Sequence, residues 1–127
     1  MLRKNISSKT KWEDEVGYSR AVRVGNLVEV SGTTATDGEK IIGAGNMYEQ
    51  TKFCFQKIEK ALNEAGATKT DVVRTRMYVT DISLWEQAAK AHREFFSQIK
   101  PAATMVEVKA LINSELLIEI EVTAIIS

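Results

Sequence analysis

The sequence predicts an α+β domain: a single mixed β-sheet with two helices packed on one face. Three observations point to it. Two segments repeat apolar residues at three- and four-residue spacing, each forming one stripe. Other segments alternate apolar and polar residues, as half-buried strands do. The elements run strand, strand, helix, strand, helix, strand, strand, and two singly striped helices pack most economically on one face of one sheet.

The 127 residues fit one domain spanning 1–127, with no repeat, linker or low-complexity stretch. Residues 1–17 are polar and suit a short edge strand or a loop. Ser19 to Thr33 reads as a hairpin. Arg-Ala-Val-Arg-Val enters Gly25-Asn26 and Leu-Val-Glu-Val-Ser leaves it, and glycine tolerates the positive φ of a tight turn. Thr36 to Gly45 reads as a loop. Met47 to Ala65 is a helix whose buried stripe is Thr51, Cys54, Phe55, Ile58, Ala61, Leu62 and Ala65. Asn46 is placed to cap it, with Glu49 three residues on, and Gly66 to end it. Asp71 to Thr80 is a strand. Ser83-Leu-Trp-Glu86 has the capping-box pattern and opens a second helix, with Trp85, Ala88, Ala89, His92, Phe95 and Phe96 on its apolar face. Pro101 blocks helical continuation. Thr104 to Val108 and Leu116 to Ala124 alternate as two last strands.

Charge and composition exclude several functions. Lys+Arg and Asp+Glu are 17 each, so no net positive charge draws the chain to nucleic acid. Apolar residues at 44% and charged residues at 27% suit a soluble globular domain. One cysteine cannot form an internal disulfide, and Cys54 with His92 is too little for a structural zinc site. No apolar run approaches the ~18 residues of a membrane span. Met-Leu-Arg-Lys-Asn has no apolar stretch behind its charges, as a signal peptide would. A soluble, cytoplasmic protein with no membrane partner is expected.

Alternation assigns the strand faces. Val28, Val30, Val73, Thr75, Met77, Val79, Val106, Val108, Ile118, Ile120, Val122 and Ala124 should meet the helices. The opposite face then carries Glu29, Glu107, Glu119 and Glu121 against Arg74, Arg76 and Lys109, with Leu27, Ser31, Tyr78, Met105 and Leu117. Two readings fit: a solvated face with cross-strand charge pairs worth ~0.2–1 kcal/mol each, or an interface between subunits, which the large apolar members favour.

Several segments fall in order: Gly17-Tyr18, Val30-Ser31-Gly32, Gln50-Thr51, Ala65-Gly66 before Asp71-Val72-Val73, Phe95-Phe96, Pro101-Ala102 and Ile118-Glu119-Ile120-Glu121. With this ordered set the chain resembles the RidA/YjgF family of reactive-intermediate deaminases, from about Tyr18 to Ala124. The resemblance implies a chorismate-mutase-like fold and a homotrimer whose sheets form a central barrel, with clefts between neighbouring subunits for a small metabolite. Archetypal members hydrolyse enamines and imines derived from amino acids to a 2-oxo acid and ammonia, with no cofactor or metal. That chemistry needs a carboxyl group to move protons, a cation for the substrate carboxylate, and donors that orient the rest.

By position, the resemblance places Glu119 as the water-activating acid/base, Tyr18 as the cleft tyrosine, and Ser31 with Gly32 at the strand end near the ligand. It departs at the anchoring arginine. Pro101-Ala102-Ala103-Thr104 puts Ala103 where the family has arginine, Met105 where a cysteine often follows, and Ala89 where an asparagine stands. A charged hydrogen bond contributes ~1.5–3 kcal/mol, so the substrate preference should be altered. Arg76, and less so Arg23, are candidate replacement cations. Against that, Arg76 suits a salt bridge to Glu107, Glu119 or Glu121, and pairing with Glu119 would lower that carboxyl's pKa.

His92 reads as a hydrogen-bonded core histidine and Cys54 as a small apolar residue. Trp12 is a candidate for the cleft mouth and Trp85 for packing. The Ile41-Ile-Gly-Ala-Gly loop resembles one near the family's cleft but lacks the Lys and Ser/Thr of a phosphate-binding loop. Three functions follow: an imine or enamine hydrolase with altered substrate, a non-catalytic metabolite-binding or regulatory trimer, and, last, a ribonuclease or translation inhibitor.

Overall fold

The computed structural model describes residues 1–127. Strands β1 (Arg3–Ile6), β2 (Ala21–Val24), β3 (Leu27–Thr34), β6 (Val72–Val79), β7 (Ala102–Glu107) and β8 (Ile118–Ile125) form one six-stranded sheet in the order β1-β2-β3-β8-β6-β7. β6 and β7 are parallel and the other neighbours antiparallel, so the sheet is mixed. Helices α2 (Met47–Glu64) and α3 (Trp85–Phe96) cover one face, enclosing Phe55, Ile58, Leu62, Phe96, Val28, Val79, Ile118, Ile120 and Val122. The expected α+β architecture holds.

The hairpin and first helix form where the pattern places them. The positive φ of the β2–β3 turn falls on Gly25 (φ 60°). Asn46 accepts a hydrogen bond from the Glu49 amide at 3.0 Å, capping α2, and its whole predicted stripe is buried. Gly66 follows the helix at φ 89°.

Elsewhere the structure corrects the pattern. Residues 1–17 hold β1 and also a short helix, α1 (Lys11–Val16), stabilised by Glu13, whose buried carboxylate accepts from the Ser8 amide and hydroxyl. Within the predicted Thr36–Gly45 loop, β4 (Thr36–Asp37) and β5 (Lys40–Ile41) pair as a small separate hairpin. Ser83 does not cap α3. Asp81 two residues upstream accepts from both its amide (3.0 Å) and its hydroxyl (2.6 Å), and the helix starts after Leu84 with no side-chain cap. On α3, Ala91 is buried while Trp85 is 49% exposed. The helix ends at Phe96, before Pro101 acts, with Ser97 at φ 41°.

Two strand faces also change. The β6–β8 register slips between Val72 and Arg74, so Val72 enters the core and Val73 is exposed. On β7, Met105 pairs with core-facing Met77 and packs against the core, while Val106 pairs with Tyr78 and is exposed. Met105 and Glu107 therefore point to the helix side and Val106 to the open face, the reverse of the expectation. The Glu107 carboxylate accepts from the Ile82 amide in the turn before α3.

Candidate functional site

The site is built on an irregularity in β3. Its pairing with β8 shifts between Val30 and Thr33, which sets Ser31 and Gly32 out of the regular ladder. Glu119 on β8 pairs with Thr34 just beyond. A Cβ at position 32 would lie 2.0 Å from the Glu119 Oε2, so any larger residue would force that carboxylate to move. The β3 backbone and the Glu119 carboxyl thus meet directly.

The N-terminal segment supplies two more groups. Gly17, at φ 89°, closes α1, and both Gly17 and Tyr18 amides donate to the Glu13 carbonyl. Tyr18 emerges from this turn. Its ring centroid is 6.0 Å from the Arg20 guanidinium carbon. Arg20 extends to the same bulge, its Nη2 donating to the Gly32 carbonyl at 2.7 Å. The Ser31 hydroxyl donates to the Ser19 carbonyl at 2.6 Å, tying bulge and segment together. The structure therefore links Tyr18, Ser31, Gly32 and Glu119 around this bulge, with Arg20 among them.

Burial pushes the Glu119 carboxyl above the ordinary carboxylate range. Arg20 opposes this shift and Glu121 adds to it. The expected lowering by Arg76 is not what the site shows. Burial outweighs the nearby cation, and that cation is Arg20. Arg76 instead stands opposite Glu121 in the β6–β8 register. It lines an open depression of about 230 Å³ with Glu29, Ser31 and Glu121. Tyr78 donates its hydroxyl proton to Glu121 at 2.5 Å. Ser31 also borders a second depression of about 510 Å³, shared with Tyr18, Ser19, Glu13 and Asp14.

Ala103 and Met105 lie apart from this group within one chain. They sit on β7, the edge strand, with β6 between it and β8. Ala103 pairs with core-facing Thr75. Arg23 is occupied structurally: its Nη1 donates to the Ala65 carbonyl at 2.8 Å and so caps the end of α2. His92 lies against Phe55 and Phe96, with Nε2 2.9 Å from the Thr75 hydroxyl, and burial lowers its pKa. Burial pushes the Cys54 thiol up to about 12, where it is no nucleophile at neutral pH. No cluster of three or more His, Cys, Asp or Glu side chains is arranged to hold a metal ion. No helix is long and apolar enough to cross a membrane.

The sheet face of Arg20, but not its place in the site, was legible. Ala21 is a core residue, so alternation puts its neighbour Arg20 on the open face with Val22. The register shift that brings it to Glu119 leaves no mark in the apolar pattern.

A mixed sheet backed by two helices, with a half-buried glutamate, an arginine and a tyrosine gathered around a strand bulge, defines a small α+β protein with a carboxyl of raised pKa near a cation. Comparison with known proteins places it further. The family model described as Endoribonuclease L-PSP matches residues 9–126. An uncharacterized Streptomyces coelicolor protein, SCO2049, is 36% identical over 121 residues, 95% of this chain and 90% of that one. A RutC family protein of Pyrococcus abyssi is 38% identical over 108 residues, 84% of each. The crystal structure of Rv2704 from Mycobacterium tuberculosis, described as a member of the YjgF/YER057c/UK114 family, superposes with a TM-score of 0.88. It is 49% identical and covers 98% of this chain and all of that one. The chain belongs to the RidA/YjgF family, the one whose model carries the L-PSP name.

Proposed function

We propose that the protein is a cytoplasmic hydrolase of C=N bonds, acting on enamines and imines derived from amino acids. The observation that carries this is the Glu119 carboxyl, half-buried and raised in pKa beside Gly32 and Arg20. A carboxyl tuned toward neutral pH is suited to take a proton and return it. In the proposed reaction Glu119 removes a proton from water as the oxygen adds to the C=N carbon. That proton passes to nitrogen; the carboxylate then carries the proton of the new hydroxyl to the same nitrogen, the C–N bond breaks as C=O forms, and ammonia leaves a 2-oxo acid. No cofactor takes part.

The site is completed in a homotrimer, where β7 of a neighbouring subunit brings its Ala103 and Met105 toward the Glu119 group. The exposed apolar residues of the open face, Leu27, Val106 and Ile125, support burial against other copies. The small-molecule ligand then occupies the cleft between subunits.

The test generates 2-aminoacrylate in situ and follows release of 2-oxo acid. Acceleration over the spontaneous rate, reduced about 10²- to 10⁴-fold by Glu119→Gln, is expected. A protein that accelerates nothing is not this hydrolase. Ala103, in place of the family's arginine, favours a second reading, a metabolite-binding or regulatory trimer without turnover. Thermal stabilisation by small metabolites with no product formed would select it. Ribonuclease action, named only by the family model, is the least supported given zero net charge.

A further inference from the structure

Arg20 is half-buried, and burial disfavours its charge. A guanidinium in that position calls for an anion. Nη2 is engaged by a neutral carbonyl, that of Gly32. Its Nε is buried with no hydrogen-bond partner. Glu13, one of the nearby negative charges, already accepts from the Ser8 amide and hydroxyl and from the Thr10 hydroxyl. The other, Glu119, is the proposed proton carrier. The Tyr18 ring flanks the guanidinium on one side.

We infer that Arg20 is the anchor for the ligand's carboxylate, in place of the arginine missing at Ala103. This rests on the proposed C=N hydrolysis for its substrate and concerns a residue outside that segment. The fork of Arg20 and the Glu119 carboxyl converge on Gly32. A small 2-imino or 2-oxo acid, whose carboxylate adjoins the reacting carbon, spans such a pair of groups. A ligand without a carboxylate does not use both. The anchor belongs to the same chain as the acid/base, so the distance between them is set by the β3 bulge.

The test measures binding of pyruvate, as a stable 2-oxo acid, and of methyl pyruvate, its uncharged ester, to the full-length protein by calorimetry. The wild type is expected to bind pyruvate at least about 10-fold more tightly than the ester, the worth of a charged hydrogen bond. Arg20→Gln should remove that difference, weakening pyruvate about 10- to 100-fold while leaving the ester unchanged. Arg20→Lys, which keeps the charge without the fork, should recover part of it. Equal affinity for the two probes in the wild type, or unchanged discrimination in Arg20→Gln, overturns the assignment. Equal loss of both probes in Arg20→Gln and Arg20→Lys overturns it too, since that marks a structural role. Imine turnover with a KM indifferent to Arg20→Gln would refute the anchor and spare the hydrolase. Arg20-dependent pyruvate binding without any imine turnover would do the opposite.

Discussion

Half-burial of Glu119 near Glu121 raises its pKa, and that has a cost to the fold. An acid whose folded pKa lies above its unfolded value stabilises the native state fully only below the unfolded pKa, and that contribution is lost as pH rises through the folded one. At neutral pH Glu119 therefore opposes folding. Glu119→Gln is expected to raise Tm at pH 7 while sharply reducing the proposed turnover, with the Tm gap closing toward pH 4. An unchanged or lower Tm at pH 7 would show that Arg20 more than offsets burial. His92 has the opposite sign of pH dependence. Its pKa is depressed by burial, so its contribution is present above the ordinary imidazole value of about 6.5 and is lost as pH falls below it. His92→Gln should flatten the decline of Tm as pH falls below about 6.5. Cys54, buried with its thiol pKa pushed up to about 12, should stay unreactive toward a thiol reagent until the chain unfolds, as a colorimetric thiol assay would register.

Among the elements, those with a strong local code were legible and those defined by partners were not. α2 carries a full stripe and an Asn46 cap, and both appear in the structure. The face of β8 is equally plain, because Ile118, Ile120, Val122 and Ala124 are all shielded by helices. β7 lies at the sheet edge, mostly exposed on both sides, so its apolar phase carries no information about which side meets the core. α1 is polar and only six residues long, held by the Glu13–Ser8 contact rather than by an apolar stripe. The candidate site shows the same division. Tyr18, Ser31, Gly32 and Glu119 were readable from an ordered set of motifs. Arg20 was not, because a register shift in β3 delivers it. That shift makes Gly32 a sharp probe. Its φ is not in the left-handed region, so alanine is allowed by the backbone, yet the new Cβ would strike the Glu119 carboxylate. Gly32→Ala should lower turnover at least about 10-fold, the effect of displacing a proton carrier, with far-UV circular dichroism unchanged. Full activity would mean that Glu119 works from another position.

At the scale of the whole molecule, one chain leaves the Glu119 group open and holds Ala103 apart from it. Glu119 and Arg20 lie on the β3–β8 side, while Ala103 lies on β7 at the sheet edge. The open face carries Leu27 and Val106, each 43% exposed, and Ile125 at 51%. An uncovered strand edge beside apolar surface is also what soluble proteins tend to protect. In the proposed homotrimer, closure of three chains around a common axis would cover this face and bring a β7 edge to each Glu119 group. Light scattering should then return three times the 14.2 kDa chain mass. Val106→Lys adds a charge to this edge without touching the buried core, and should release folded single chains. If the cleft is shared, those chains lose turnover as they dissociate, and raising the protein concentration restores both together. Single chains that hydrolyse imines at the wild-type rate would show that the Tyr18–Arg20–Glu119 group needs no neighbour.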